Sequence, residues 1–278
     1  MSDNKLGIFS WFGFVLPLPQ RLEMIKQAGF EATTIWWEDE VGTPEIKKEN
    51  MPAIVRDCGL SLENIHVPYD NVDHLWSESK ILRNRIVDRH IRWLNDCALL
   101  GIPVMLMHII DHHYPATPNQ CGIDGIGRLL RTAEDLGVMI ALENTGSVEY
   151  IDFVLNELPS DHLLFCYDSS HDYLYSAQKA AILRKQGSRL QHLHLSDNDL
   201  KMDRHWLPGE GQIDWQQLSH YFPRDSYEGN ITLEVCPGEA DLRKSPRHFI
   251  DKAYERALWL RSLLFSRSHS SPDSRYQG

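Results

Sequence analysis

The chain has 278 residues, of which 42% are apolar and 24% charged, with a formal net charge of −11. This is enough apolar material for one large core, and the acidic balance argues against nucleic acid as a partner, since that needs a basic surface. No apolar run approaches membrane-spanning length, the start Met1-Ser-Asp-Asn-Lys lacks the basic head of a secretory signal, and five cysteines without a Cys-x-x-Cys pair read as reduced thiols of a cytoplasmic protein.

Strand-like and helix-like runs alternate from end to end. Leu6-Gly-Ile-Phe9 reads as a strand, and Pro19 to Ala28 as a helix closed by Gly29. Ala32-Thr-Thr-Ile-Trp-Trp37 is β-branched and aromatic, hence a second strand. Thr43-Pro44 is placed to open the next helix, with Gly59 ending it. Leu62 to Val67 and Val104 to Ile109 follow as strands, separated by a long helix with Leu82, Ile86, His90, Trp93, Cys97 and Leu100 at helical spacing. Ile126, Leu129, Leu130 and Ala133 mark a helix ending at Gly137, and Val138 to Glu143 is the fifth strand. Ile151, Val154, Leu155 and Leu158 mark another helix, stopped by Pro159. Leu163 to Asp168, Leu190 to Leu195 and Ile231 to Val235 are the last three strands, and Ile250, Ala253, Tyr254, Ala257 and Leu264 mark a final helix. Eight strand–helix units imply an α/β protein of the (β/α)8 barrel class, one domain over residues 1–265, followed by a Ser-rich end from Ser266 to Gly278 expected to be disordered.

Metal-binding residue types gather at the strand ends. The third strand ends in His66, the fourth in His108 and the fifth in Glu143. The sixth ends in Asp168 with His171 just beyond. The seventh gives His194, its following loop gives Asp203 and His205 before Pro-Gly-Glu-Gly211, and the eighth gives Glu234. Side chains two apart share a strand face, so these residues sit on the inward face while Leu142, Tyr167 and Leu233 turn towards the helices. The C-terminal strand ends of such a barrel line its active site, and His with carboxylate is a ligand set for a divalent ion. A lone strand-end His or Glu is usually a hydrogen-bonded core residue or a cap. For Glu143, Asp168, His194 and Glu234 together the metal reading outweighs that account; for His66, His108, Asp203 and His205 both stay open. His192 reads as a packed polar residue beneath the site, and His112 and His113 as exposed loop residues. Trp11, Trp36, Trp37, Trp76 and Trp206 lie near strand ends and suit a pocket wall for a sugar ring, whereas Trp93 and Trp215 suit helix packing.

At these residues the chain resembles the xylose isomerase-like TIM-barrel superfamily, from about Leu6 to Leu264. That superfamily holds sugar and sugar phosphate isomerases and epimerases and the endonuclease IV type of apurinic-site nuclease. The resemblance rests on Leu-Glu143-Asn-Thr, Tyr-Asp168-Ser-Ser-His171, His-Leu-His194-Leu-Ser-Asp and Leu-Glu234-Val. It implies a metal site of Glu143, Asp168, His194 and Glu234, holding Zn2+ or Mn2+. It further implies that Glu143 and Glu234 act as the acid/base pair of an enediolate proton transfer, with His171, His66, Trp11 and Trp36 on a carbohydrate substrate. Members that shuttle protons often carry a second carboxylate after the Glu of strand five, where this chain offers Glu149.

The nuclease branch is similar in more positions, since His66, His108, His171 and Asp203-Arg-His205 before Gly-Glu-Gly211 match its three-zinc site. That alternative implies a phosphoester hydrolase with up to three ions. Its loop after strand two is basic, while here Glu38-Asp39-Glu40 is acidic and would repel phosphates. The expected partner is therefore a small carbohydrate, with neither membrane nor nucleic acid, and homo-oligomerisation is left open.

Overall fold

The computed structural model describes residues 4–111 and 113–265. Among these residues the strands are β1 Leu6–Phe9, β2 Ala32–Trp36, β3 Ser61–His66, β4 Val104–Met107, β5 Met139–Glu143, β6 Leu163–Asp168, β7 Leu190–His194 and β8 Ile231–Leu233. They run parallel in the order β7-β6-β5-β4-β3-β2-β1-β8. A bridge between Leu195 and Leu233 closes the sheet into a barrel, with Leu195 N donating to Thr232 O at 3.0 Å and Glu234 N to Leu195 O at 3.2 Å. The helices are α1 Leu18–Ala28, α2 Met51–Asp57, α3 Lys80–Leu100, α4 Gln120–Leu136, α5 Val148–Glu157, α6 Ser169–Tyr175, α7 Ala181–Gln186, α8 Trp215–Tyr221, α9 Glu239–Leu242 and α10 Pro246–Phe265.

The alternation along each strand divides the core in two. Ile65, Met105, Ile140, Leu142, Tyr167 and Leu233 face outward into the main apolar layer beneath the helices. Val104, Leu106, Ala141 and Cys166 form a separate small cluster inside the barrel. Register then decides where the strand ends fall. Asp168 pairs with His194, while His66 pairs with Leu106 and Glu143 with Cys166, each two residues before the candidate on the next strand. The inward strand-end residues are thus staggered by an even number of positions, which keeps them on one face at the barrel mouth.

The expected architecture is present, with element ends that differ by a few residues. Thr43-Pro44 does not open a helix: it is a cis peptide within the loop after β2. A short 3-10 turn, Lys48–Asn50, leads instead into α2, whose first turn contains Pro52, the position where a missing N–H goes unmissed. The segment before it is held by Asp39, which accepts from Lys48 N at 3.0 Å. The short helices α6, α7 and α9 are absent from the sequence reading, because seven or fewer residues carry too little periodicity to declare themselves. His113 is exposed as expected. His112 and the Ser-rich end from Ser266 to Gly278 lie outside the described residues.

The barrel floor is polar. Glu63 is buried inside it and accepts from Thr232 Oγ1 at 2.8 and 2.9 Å. Gly7 leaves the room, since a Cβ there would lie 2.2 Å from Glu63 Oε1. Burial pushes the Glu63 carboxyl above its ordinary range, against hydrogen bonds from Thr232 and Asn230. The folded protein therefore holds a proton that the unfolded chain releases, and this residue costs stability increasingly as pH rises through and beyond the ordinary carboxylate range. Glu63→Gln should accordingly gain stability relative to the parent between pH 5 and pH 8, measured by urea unfolding. A difference that stays constant with pH would contradict this account.

Candidate metal centre

Nine side chains converge at the C-terminal mouth of the barrel. His66, Glu143, Asp168 and His194 close their strands, His108 and Glu234 follow β4 and β8 directly, and His171 sits in the first turn of α6. Asp203 and His205 come from the loop between β7 and α8. Glu143 is the hub. Its Oε2 lies 3.2 Å from His66 Nε2, 3.5 Å from His108 Nε2 and 3.1 Å from His194 Nδ1, and its Oε1 lies 3.2 Å from His171 Nδ1. Glu234 Oε2 is 2.9 Å from the same His194 nitrogen. A second knot joins Asp203 Oδ2 to His171 Nε2 at 3.1 Å and to His205 Nε2 at 3.0 Å.

The donor set fits a divalent ion. One oxygen or nitrogen from each of Glu143, Asp168, His194 and Glu234 lies within 4.8 Å of the others, and the same holds for His66, His108 and Glu143. Several atoms buried at the centre have no hydrogen-bond partner among the described residues: Glu143 Oε1, Asp168 Oδ2, His108 Nδ1 and both ring nitrogens of His194. The carboxylate oxygens near His194 and Glu143 are close enough but poorly aimed, so proximity leaves these groups unsatisfied. Buried polar atoms are rarely left so, and a cluster of them marks a place built for a cation.

Protonation tells the same story. Burial would raise Glu143, but His194 and His108 outweigh it and hold the carboxyl well below its usual range. Glu234 is likewise raised by burial and then brought down to about 2 by His194 and His205. Asp168 goes the other way, pushed up to about 7 by burial and by the carboxylates of Glu143, Asp203 and Glu234, against the pull of His171. Burial opposes the charge on His205, yet Asp203 and Glu234 raise it to about 10. His194 and His171 are raised against burial in the same manner. The carboxylates thus draw positive charge onto the histidines, and a divalent ion would compete with those protons for the same lone pairs.

Outer contacts fix the ligands. Asn144 Nδ2 donates to Asp168 O at 2.9 Å while Asp168 N donates to Asn144 Oδ1 at 2.8 Å. Ser170 Oγ donates to Asp203 Oδ1 at 2.6 Å, and His205 Nδ1 meets Glu234 O at 3.0 Å. His205 holds this pose with φ of 50°, a left-handed backbone that costs a non-glycine residue and persists only where its surroundings enforce it.

The enforcement comes from Cys236 N, which donates to His205 O at 2.6 Å, and from the antiparallel bridge of the next residue, Trp206, to Asp197. Its buried carboxylate accepts from Gly209 N at 2.8 Å, Ile213 N at 3.1 Å and Trp215 Nε1 at 2.9 Å, besides Asn198 N at 2.9 Å. Gly211 is required beside it, since a Cβ would lie 2.2 Å from Asn198 O.

Of the expected pocket tryptophans, Trp36 stacks on His66 with centroids 5.1 Å apart, and Trp11 is 43% exposed at the mouth with Arg21 5.1 Å over its ring. Trp206 is half-buried near Arg204. Trp37 and Trp76 belong to the outer core instead. Their indole N–H groups go to Asp96 and Ile109 O, because the residue after an inward Trp36 must face outward. Trp215 is buried on α8 and Trp93 half-buried on α3, as their helical positions suggested. Glu149 is exposed in the first turn of α5, away from the centre. His192 lies on the inward face below His194, 3.3 Å from Asn64 Nδ2. The sequence reading missed Tyr69, which stacks on His108 at 4.4 Å, and Phe9, which edges onto His194 at 6.2 Å. Phe9 ends β1, so strand-end position was a usable signal for it; Tyr69 gave none.

The chain is thus a parallel (β/α)8 barrel that gathers carboxylates and histidines able to hold a metal ion on six successive strand ends or the loops directly after them. The chain belongs to the xylose isomerase-like TIM-barrel family, whose model matches residues 22–252. It is 28% identical over 275 residues to fructoselysine 3-epimerase of Shigella flexneri, covering 91% of this chain and 96% of that protein. It is also 28% identical over 202 residues to a probable endonuclease 4 of Cenarchaeum symbiosum (strain A), covering 63% and 69%. The fold is shared with the D-psicose 3-epimerase of Clostridium cellulolyticum H10 in complex with D-tagatose, at a TM-score of 0.73 and 16% identity over 94% of this chain and 100% of that one.

Two outcomes are expected. Adding Zn2+ or Mn2+ at a hundredfold excess over its Kd to chelator-treated protein stabilises the fold by about 2.7 kcal/mol. At roughly 2–4 °C per kcal/mol for a chain of this size that is a rise in Tm of roughly 5–10 °C, and Glu143→Gln should abolish it. Asp197→Asn should speed hydrogen exchange of residues 199–211 at least tenfold, by mass spectrometry, while the strands keep their protection.

Proposed function

We propose that the protein is a divalent-metal-dependent epimerase or isomerase of a sugar, moving a proton on the carbon beside a carbonyl. The observation that carries this reading is that Glu143 and Glu234, from strands on different sides of the barrel, reach the same His194 nitrogen at 3.1 and 2.9 Å. Two ionised carboxylates thereby flank one small volume. The epimerases among its relatives support the reading.

When bound by Glu143, Asp168, His194 and Glu234, a Zn2+ or Mn2+ ion would act as a Lewis acid on a carbonyl and its neighbouring hydroxyl. One of Glu143 and Glu234 takes the proton from one face of the carbon; the other, after acquiring a proton from solvent, delivers it to the opposite face, which inverts the centre, and the first then releases its proton to solvent. His171 and His66 would orient substrate hydroxyls by exchanging their present contacts with Asp203 and Glu143 for the substrate. Trp36 and Trp11 give a flat apolar wall for the sugar and help to exclude water. The free cysteines suit a reducing compartment, and we place the reaction in the cytoplasm.

A second reading is a phosphoester hydrolase with two or three ions. It is favoured by the two additional groups, His66–His108–Glu143 and His171–Asp203–His205, and by the endonuclease relative. The carboxylates of Glu38, Asp39 and Glu40 on the cavity wall disfavour a phosphate-rich substrate.

Metal content and proton exchange separate the two. Metal-loaded protein should incorporate solvent deuterium beside the carbonyl of a ketohexose, followed by NMR, and Glu143→Gln or Glu234→Gln should each lower the rate by roughly a thousandfold. About one ion per chain is expected by plasma mass spectrometry. Two or three zinc ions, no exchange, and cleavage of an abasic-site duplex would replace this reading with the hydrolase.

A further inference from the structure

The cavity at the barrel mouth measures about 440 Å3 and takes in Glu234 and His205 of the centre together with Ser10 and the acidic loop after β2. That is the size of a small-molecule site. A sugar whose reacting carbons lie at Glu234 therefore has the rest of its chain against Ser10 and that loop.

The strong side-chain donors on this wall are engaged. Arg21 donates to Leu16 O at 2.6 Å and pairs with Glu40 at 2.5 Å, with the ring of Trp11 lying 5.1 Å from its guanidinium. Trp36 Nε1 donates to Glu38 Oε2 at 2.6 Å. The acceptors have capacity left, since a carboxylate offers about four lone-pair sites. Asp39 uses two, for Lys47 Nζ at 2.9 Å and Lys48 N at 3.0 Å. Glu38 is exposed and uses one. Arg21 pairs with Glu40 and Lys47 with Asp39, so the Glu38 charge alone of these three has no paired cation among the described residues.

Ser10 gives a second, independent sign of a ligand. It directly follows β1, its N donates to Thr34 O at 2.9 Å, and it is only 3% exposed. It lines the cavity, and its hydroxyl has no hydrogen-bond partner among the described residues. A polar side chain so deeply buried is seldom left unpaired. Apart from this hydroxyl and the weakly donating Cys236 thiol, the free side-chain capacity outside the metal-ligating set is for accepting. An anion placed here would meet acceptors and an unpaired carboxylate; a neutral or cationic donor would satisfy both Ser10 and Glu38.

We infer that Ser10 and Glu38 are specificity-determining residues that hold the end of the sugar remote from its carbonyl, and that this end is a hydrogen-bond donor without negative charge: a hydroxyl or an ammonium group, not a phosphate or a carboxylate. Which end of the sugar lies here rests on the epimerase reading, while the polarity of the subsite rests on the cavity wall.

The test uses metal-loaded full-length protein and four probes. These are a free ketohexose and the same sugar with the hydroxyl of the terminal carbon remote from the carbonyl replaced by hydrogen, by an amine or by a phosphate ester. Binding is measured by calorimetry and reactivity by solvent deuterium entering beside the carbonyl. The parent sugar should bind roughly tenfold tighter than its deoxy form, the amine at least as tightly as the parent, and the phosphate more weakly than the parent. An amine that binds tighter than the parent names ammonium as the natural group, and a tie names the hydroxyl. Ser10→Ala should narrow the gap between parent and deoxy sugar to roughly threefold or less, and Glu38→Gln should shrink the advantage of the amine over the deoxy sugar. A substitution that weakens every probe equally would mark its residue as merely structural and overturn its assignment. Exchange into the parent sugar with no gap to the deoxy form, or a phosphate that binds tightest, would overturn the subsite and leave the epimerase reading intact. The expected order of affinities without any exchange would keep the subsite and remove that reading. Failure of every probe to bind would overturn both.

Discussion

The carboxylate of Glu143 touches four histidines, His66, His108, His171 and His194, each contributed by a different strand or helix. A buried negative charge in a low-dielectric interior must be met by positive charge or by directed donors. Here neither the number nor the aim of the donors is enough, because Glu143 Oε1 and both His194 nitrogens remain unpaired among the described residues. Apolar packing holds the barrel together, and it does so at the expense of concentrating this unsatisfied charge at one end. The fold tolerates the centre because the remainder of the structure is well supplied with buried apolar surface. Natural proteins keep such locally unfavourable arrangements where function requires them.

Two kinds of support hold the ligands. Those on strand ends are placed by the barrel register, which pairs Asp168 with His194 and sets His66 and Glu143 opposite Leu106 and Cys166, on the same inward face. Asp203 and His205 sit on a loop and have no such frame. Asp197 supplies one by gathering main-chain N–H groups from well downstream onto a single carboxylate, with Trp215 Nε1 tying in the next helix. The loop is thus held both by these hydrogen bonds and by the antiparallel bridge of Asp197 to Trp206, and the left-handed His205 backbone is its visible strain. The rigid ring suits ligands common to many chemistries, and the tethered loop suits residues that differ between them.

The strand count and the gathering of His, Asp and Glu at the strand ends were legible because a period of two is unambiguous when one face is apolar and the other ends in such residues. That those ends meet at one mouth was implied by the barrel and not by any one strand. What could not be read was partnership between distant segments. Asp197 looks like any polar residue of a loop until Gly209, Ile213 and Trp215 are seen to converge on it. The neighbouring Trp36 and Trp37 are chemically alike, and only their side of the sheet separates a pocket wall from a core residue. Thr43-Pro44 carries the local signal of a helix start, but it lies in the loop after β2, and the chain turns helical only from Lys48, where Asp39 accepts from Lys48 N.

The ligands are drawn from β3 through to the residue after β8, so no contiguous fragment of the chain contains a working centre. During synthesis the ribosome releases His66 long before Glu234, and folding of the early strand–helix units proceeds with most of the charge cluster absent. The barrel closes only when β8 has joined β1 and bridged to Leu195. Glu143, Asp168, His194 and Glu234 therefore meet only in a complete barrel, whereas His66, His108 and Glu143 are all supplied by the first five strand–helix units.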